Sequence, residues 1–187
     1  MDLPLKYTIC FIRQGDDVLM LNRNRPANMG LWNGVGGKLE PGEDPLTGVL
    51  REVYEETGIA LAHARFAGTV TWRGTWHGHD QAEGGMYAFL AEVTERERGP
   101  RLQETREGVL MWKPLSWILD PDNLGVAEHV SRFLARMLND PVCYEHRCVF
   151  HDDRLIDYEP VPLPNDFLTQ VGLSQVKTSS GSANNRP

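Results

Sequence analysis

Residues 37–59, GKLEPGEDPLTGVLREVYEETGI, join a glycine-rich turn to an amphipathic segment. Between Asp44 and Thr57 the apolar residues recur at spacings of three and four, which is typical of a helix with one apolar face. Asp44 suits the N-cap, Pro45 suits the first helical position, and Gly58 suits the left-handed position after the last turn. The sequence therefore predicts a helix over 44–57 with both ends marked.

Three acids on this helix, Glu52, Glu55 and Glu56, stand at i, i+3 and i+4, so their carboxylates share one side. Like charges this close repel each other, and Arg51 is the only base between 44 and 57. A hard divalent cation such as Mg²⁺ takes oxygen ligands and would relieve the repulsion. The alternative interpretation is an exposed acidic helix face that binds nothing.

The turn before the helix contains Gly36, Gly37 and Gly42, and such glycines let backbone groups approach a ligand closely. The stretch also fills every fixed position of a known sequence motif, or box. These positions are Gly37, Glu43, residues 51–53, Glu55, Glu56, Gly58 and Ile59. The stretch resembles the Nudix (MutT-like) hydrolase family. Seven fixed letters over roughly 165 windows would match by chance on the order of once in a million sequences.

The resemblance implies an α/β fold, an α/β/α sandwich with a mixed central sheet and the box as its loop-helix-loop. Family members cleave a nucleoside diphosphate linked to another moiety, using Mg²⁺ or Mn²⁺. Carried over to this sequence, Glu52, Glu55 and Glu56 would hold the metal, with a backbone carbonyl of Gly36 or Gly37 as a further ligand. Arg51 and Glu43 would orient the acids.

Other site residues follow from a similarity to the 8-oxo-dGTP diphosphatase branch of the family. That similarity implies a metal ligand or general base at Glu107, with Glu104 as the rival acid. It also implies a purine contact from Asn33, whose amide has both donors and an acceptor.

The same comparison makes Gly37 and Lys38 substrate-binding candidates and assigns base recognition to Asp120 or Asp122. Relatives of that branch carry a tryptophan beside their aspartates, whereas here Trp117 lies a few residues earlier. This departure from the family pattern counts against selectivity for an oxidised base, but not against pyrophosphate hydrolysis.

Three other groups of side chains receive a structural interpretation. The loop set His77, His79 and Asp80 is expected to be solvated. No zinc site is expected from Cys143, His146, Cys148 and His151, because alternation along a strand turns Cys143 away from His146 and Cys148. The aromatic residues are expected to pack across strands rather than to stack on a base. They are Trp72, Trp76, Tyr87 and Phe89.

Beyond the box, strand-like runs alternate with one further helical stripe. We expect one domain over 1–173 and a disordered tail over 174–187, where Ser, Gly and Asn leave little to bury. The predicted strands are 7–12, 18–21, 64–76, 84–94, 109–113, 143–150 and 154–159, with a functional loop over 22–42 and a helix over 126–138.

Composition narrows the class of protein further. The chain is 41% hydrophobic and has a net charge of −7, from 26 acidic and 19 basic residues. An acidic chain is a poor partner for long nucleic acid, although one small anion can bind with a divalent cation. We expect no membrane span and no secretory leader, and the three cysteines indicate reduced thiols in a cytoplasmic protein.

These observations lead to one main hypothesis and two rivals. The main one is a Mg²⁺-dependent pyrophosphohydrolase that sanitises oxidised purine nucleoside triphosphates, as a monomer or homodimer. The same chemistry on ADP-ribose, dinucleoside polyphosphates or RNA 5′ ends is the first rival. A non-catalytic nucleotide sensor is the second.

Overall fold

The computed structural model describes residues 5–26, 28–76 and 79–171. The strands are β1 (Leu5–Gln14), β2 (Asp17–Arg23), β3 (Trp32–Asn33), β4 (Arg65–Trp76), β5 (His79–Glu92), β6 (Leu102–Thr105), β7 (Gly108–Pro114), β8 (Tyr144–His151) and β9 (Arg154–Pro162). The helices are α1 (Pro45–Thr57), α2 (Leu115–Ile118), α3 (Glu128–Asn139) and α4 (Phe167–Gln170).

The described strands form one mixed sheet in the order β6-β7-β2-β1-β5-β4-β8-β9, with β3 paired to β2. Strand β1 pairs in parallel with β5, and β4 pairs in parallel with β8. The other named pairs are antiparallel. The order places β1 near the middle, so residues of β1 face both layers of the protein.

Side chains alternate across β1 and divide the core into two layers. Ile9 and Phe11 pack in the layer that holds the apolar stripe of α3. Cys10 and Ile12 pack in the layer that holds Val49 and Val53 of α1. Helices therefore cover both faces of the sheet, which confirms the predicted α/β/α sandwich.

Helix α1 begins and ends as its sequence predicts. The Asp44 side chain accepts hydrogen bonds from the backbone N–H groups of Leu46 and Thr47, each at 3.0 Å. Gly58 has φ of 74° and closes the helix in the left-handed region, where glycine avoids a Cβ penalty. Both caps hold the acidic turn of the helix at a defined distance from the glycine-rich loop.

Most predicted elements are confirmed, with differences at irregular segments. The hairpin of β8 and β9 turns through Asp152 and Asp153, both with positive φ, as a two-residue hairpin loop requires. The predicted loop 22–42 contains the short strand β3, and the charged segment before residue 109 contains β6, which the sequence analysis missed. Helices α2 and α4 were missed as well, because four residues carry too little periodicity to detect.

Two predictions fall on residues that are not described. The tail over 174–187 lies outside the described ranges, and so does His77. Within the described ranges, no helix is long and apolar enough to cross a membrane.

His146 offers a test of the α3 layer. It is fully buried, its Nδ1 lies 2.8 Å from the Tyr158 hydroxyl, and its Nε2 has no partner among the described residues. Burial lowers the pKa of His146 to about 4. Because the unfolded chain binds this proton near pH 6.5, the folded state loses stability as the pH falls from about 6.5 toward 4.

We expect the free energy of unfolding of wild type to fall relative to that of His146→Phe by about 2 kcal/mol between pH 7 and pH 5. Phenylalanine keeps the ring but cannot titrate, and the Tyr158 hydroxyl keeps its bond to the Arg132 carbonyl. Urea denaturation of both proteins at the two pH values measures the difference. An equal loss of stability in both would show that His146 does not drive the acid sensitivity.

Candidate active site

A cavity of about 470 Å³ lies between the acidic side of α1, the Gly36–Lys38 turn and the β6–β7 turn. Glu52, Glu55 and Glu56 of the helix and Glu107 of the turn all line it. We call it the acidic cavity. The structure thus brings together four of the carboxylates that the sequence analysis selected.

Arg51 ties the helix to the loop in front of it. Its Nε and Nη2 donate to the two carboxylate oxygens of Glu43 at 2.8 and 2.9 Å. Its Nη1 donates to Glu52 at 2.9 Å and to Glu55 at 3.2 Å, and Nη2 also reaches the Lys38 carbonyl. The Arg51 guanidinium lowers the pKa of Glu43 to about 2, so Glu43 stays ionised and the pair persists.

Glu56 is the acid most affected by its surroundings. Its carboxylate accepts a hydrogen bond from the Gly36 N–H at 3.1 Å. Burial raises the pKa of Glu56 to about 7, and the charges of Glu52 and Glu107 push in the same direction. Burial also raises the pKa of Glu52 above its ordinary value. Burial and the neighbouring carboxylates therefore both disfavour the ionised forms of Glu52 and Glu56 in this cavity.

This donor set fits a hard divalent cation. Carboxylate oxygens are the ligands that Mg²⁺ and Mn²⁺ prefer, and a cation would favour the ionised form of Glu56, whose pKa is raised by burial and, to a smaller extent, by the charges of Glu52 and Glu107. The described residues contain no three His, Cys, Asp or Glu side chains already gathered around one metal position. Arg51 instead holds Glu52 and Glu55, so these acids would reorient to bind a metal.

Backbone groups of the glycine turn are also placed by the sheet. The Gly37 carbonyl accepts from the Thr8 N–H at 2.8 Å. A Cβ on Gly36, whose φ is 151°, would collide with the Thr8 carbonyl, and a Cβ on Gly37 would collide with the Glu52 carboxylate. Gly36 must be glycine because backbone approaches it closely, whereas at Gly37 an added Cβ would displace the flexible Glu52 side chain.

Glu107 is positioned by contacts between two separate loops. The Asn24 N–H donates to the Glu107 carbonyl at 3.0 Å, and Arg25 pairs with the Glu107 carboxylate at 3.3 Å. Its rival Glu104 lies on β6, is exposed, and is not among the residues that line the acidic cavity. The geometry therefore favours Glu107 over Glu104.

A second cavity of about 420 Å³ opens beside the acidic one and lies on the α3 side of the sheet. Its walls include the rings of Tyr7, Trp72, His129 and Phe150, and we call it the aromatic cavity. Both cavities share four lining residues, Tyr7, Arg23, Gly36 and Gly37. One cleft therefore joins an aromatic pocket to a cluster of acids.

The predicted substrate-binding residues divide between the cleft and a turn outside the lining of both cavities. Asn33 lines the aromatic cavity, with its Oδ1 accepting from the Gly34 N–H at 2.8 Å and its amide N–H groups left for a ligand. Lys38 lines the acidic cavity. Asp120 and Asp122 line neither cavity; they are exposed, and the Asp120 carboxylate accepts from the Asp122 N–H.

Trp117 also stays away from both cavities and packs edge-on against Trp32, with ring centroids 6.4 Å apart. The structure therefore does not place the expected aspartates, or this tryptophan, beside the aromatic cavity. Asp120 has a local reason for its position, since an aspartate commonly bonds to the backbone two residues on.

Arg23 was missed by the sequence analysis. It lines both cavities, and its Nε is buried with no hydrogen-bond partner among the described residues. Its positive charge acts on Glu56 across the acidic cavity. The sequence feature that could have identified it is an arginine at the end of a strand in a chain of net negative charge.

Trp72 was expected only to pack, and the structure gives it a second role. Its ring centroid lies 6.1 Å from that of Tyr7, and the two rings form adjacent parts of the cavity wall. Phe89 is buried and Tyr87 packs against it from the α1 layer, as expected for core aromatics. The prediction for Trp72 was incomplete because strand alternation does not reveal which layer is left open.

Comparison with known proteins identifies the class. The NUDIX domain profile matches residues 4–136. A Bacillus subtilis (strain 168) protein, described as the uncharacterized Nudix hydrolase YvcI, is 31% identical over 134 residues, which span 70% of this chain and 79% of that protein. The chain therefore belongs to the Nudix family and is a Nudix hydrolase.

Other relatives differ in what their names say they act on. The crystal structure of the mutator MutT protein from Bacillus halodurans superposes with a TM-score of 0.69 at 28% identity, covering 84% of this chain and 98% of that one. An oxidized purine nucleoside triphosphate hydrolase from Mus musculus is 38% identical over 55 residues, 29% of this chain and 35% of that protein. A Haemophilus influenzae NAD-capped RNA hydrolase, NudC, is 36% identical over 66 residues, 34% of this chain and 25% of that protein.

We expect Gly37→Ala to reduce kcat/KM by roughly 100-fold, because the new Cβ displaces the Glu52 carboxylate. The free energy of unfolding should change by less than about 1 kcal/mol, since a flexible side chain can move away. Gly85→Ala is the matched control: its Cβ also meets the end of a flexible side chain, that of Leu5 in the sheet. Steady-state kinetics and thermal unfolding of both variants measure these effects. A normal rate of hydrolysis by Gly37→Ala would contradict the assignment.

We expect Glu107→Gln to lower kcat/KM by at least about tenfold, because it removes a carboxylate from the acidic cavity. Glu104→Gln, on the same hairpin but outside that lining, should stay within about twofold of wild type. Pyrophosphate release from a nucleoside triphosphate measures both. Equal rates for the two variants, or a larger loss at Glu104, would remove Glu107 from the site.

Proposed function

We propose that this Nudix hydrolase is a Mg²⁺- or Mn²⁺-dependent pyrophosphohydrolase of purine nucleoside triphosphates, including oxidised ones such as 8-oxo-dGTP. The reaction adds water and releases the nucleoside monophosphate and pyrophosphate. One observation carries the proposal. The aromatic cavity opens onto the acidic cavity through four shared residues, so a nucleotide can place its base in one and its phosphates in the other.

The aromatic cavity has the chemistry of a base-binding pocket. The rings of Tyr7 and Trp72 line it with centroids 6.1 Å apart, and aromatic rings can stack on any nucleobase. Asn33 retains amide donors after its local bond to Gly34, and these can bond an acceptor on a purine edge. A base held in this way directs its phosphate chain toward the glycine turn.

The junction between the two cavities has cationic and backbone groups that can bind phosphate. Arg23 has a buried Nε without a partner among the described residues, and an anion there would satisfy it. Lys38 adds a second positive charge on the acidic side. Together they can hold the phosphates of a substrate against an otherwise acidic surface.

Glu52, Glu55, Glu56 and Glu107 would hold the divalent cation in the acidic cavity. The cation supplies a more acidic water and offsets charge on the phosphoryl oxygens. Arg51 and Glu43 keep the helix acids oriented through their bidentate pair. Glu107 or one of the box acids takes the proton of the attacking water.

Similarities to the relatives support hydrolysis but divide on the substrate. The mouse relative is named for oxidised purine nucleoside triphosphates, whereas the Haemophilus relative is named for NAD-capped RNA. The purine assignment draws on the aromatic cavity and on Asn33. A net charge of −7 disfavours a long RNA as the substrate.

A substrate panel in Mg²⁺ tests the proposal. It compares dGTP, 8-oxo-dGTP, ADP-ribose, diadenosine tetraphosphate, NAD and a triphosphorylated RNA at one concentration well below KM. We expect a purine nucleoside triphosphate to give a kcat/KM at least about tenfold above the others, because its base and phosphates would occupy the two joined cavities and it carries no further group to be placed. A preference for ADP-ribose or for the RNA end would overturn the substrate assignment.

The Glu56→Gln variant provides the catalytic control. We expect its kcat to fall by at least about 100-fold, since the amide cannot replace a carboxylate that faces the metal and water. Glu40→Gln removes an exposed acid from the glycine-rich loop before α1, outside the acidic cavity, and should leave the rate unchanged. Near-normal turnover by Glu56→Gln would reject the site, and tight nucleotide binding without turnover by wild type would favour a sensor.

A further inference from the structure

The aromatic cavity contains a histidine that neither the box nor the predicted substrate residues include. His129 lies in the first turn of α3, is 6% exposed, and lines the cavity. Its ring packs against those of Phe133 and Phe150, with centroids 5.8 Å away in each case. These two rings fix the plane of the imidazole from its own helix and from β8.

His129 has no hydrogen-bond partner for its ring among the described residues. His146 in the same layer also has an unpaired Nε2, but its Nδ1 bonds the Tyr158 hydroxyl and the residue lies outside the cavity lining. Burial lowers the pKa of His129 to about 4, so its imidazole is neutral near pH 7 and carries one donor and one acceptor. Among the described residues the ring nitrogens of His129 are not fully buried, unlike Nε2 of His146, so a ligand in the cavity can reach and pair with them.

The surroundings of His129 indicate what that ligand offers. Val70, Met86 and Cys148 make the neighbouring wall apolar and uncharged. An aromatic heterocycle fits such a wall by its faces, while its edge needs a hydrogen bond. Purine edges present adjacent acceptors and donors, N7 with O6 in guanine and N7 with the N6 amine in adenine.

We propose that His129 is a specificity-determining residue that hydrogen-bonds the edge of the purine base held in the aromatic cavity. The choice of a purine rests on the proposed function. The interaction would discriminate bases by their edge groups, because a base without a matching group leaves the buried imidazole unpaired. Asn33 and His129 then approach the base from different elements, β3 and the start of α3.

Binding without turnover tests the proposal directly. Isothermal titration calorimetry in the absence of added metal compares dGMP with 2-deoxyribose 5-phosphate, which lacks the base. The ratio of the two affinities measures the contribution of the base alone. In His129→Phe, which keeps an aromatic ring of similar shape, we expect this ratio to fall roughly fivefold to tenfold.

Two further variants separate recognition from packing. His146→Phe removes the other buried imidazole of the layer and should keep the wild-type ratio. His129→Asn restores a donor and an acceptor and should recover part of the lost preference. An unchanged ratio in His129→Phe, an equal loss in His146→Phe, or no preference for dGMP in wild type would each overturn the proposal.

Hydrolysis assays distinguish this failure from failure of the proposed function. If wild type hydrolyses dGTP while His129→Phe keeps its preference for the base, only the role of His129 is wrong. If wild type hydrolyses no purine nucleoside triphosphate but binds dGMP in a manner that depends on His129, the hydrolase assignment is wrong and the recognition role stands.

Discussion

The bidentate pair between Arg51 and Glu43 is the interaction on which the acidic cavity depends. It joins α1 to the glycine-rich loop, and the same guanidinium holds Glu52 and Glu55. One cation thereby stabilises three carboxylates that would otherwise repel each other. Because the pKa of Glu43 lies near 2, the pair stays charged whenever the rest of the protein is folded at ordinary pH. The loop and the helix consequently act as one rigid unit beside the sheet.

Local sequence information was sufficient for this unit and for most of the strands, but not for the aromatic cavity. The N-cap at Asp44, the cap at Gly58 and the shared side of the three glutamates all follow from spacings shorter than two helical turns. The aromatic cavity follows from no such spacing, since Tyr7, Trp72, His129 and Phe150 come from β1, β4, α3 and β8. Only the strand order β1-β5-β4-β8 brings them together, and strand order is a long-range property of the chain.

The family pattern was least informative about which residues recognise the base. Asp120 and Asp122 occupy a turn that satisfies its own backbone, with the Asp120 carboxylate engaged by an N–H two residues on. A polar residue in such a loop has a local use that requires no ligand. His129, nine residues after Asp120 and seven after Asp122, lines the cavity instead, because it stands on the buried stripe of α3.

The two layers of the sandwich contribute different parts of the cleft. Alternation along β1 sends one set of side chains to the α1 layer with the acids, and the next set to the α3 layer with the aromatic cavity. The layers meet at Gly36, Gly37 and Arg23, which line both cavities. If the aromatic cavity binds the base as proposed, substitutions in the α3 layer would change which base fits without moving the carboxylates. Two of the relatives are named for different substrates, oxidised purine nucleoside triphosphates and NAD-capped RNA, and such a division of the cleft would allow that difference.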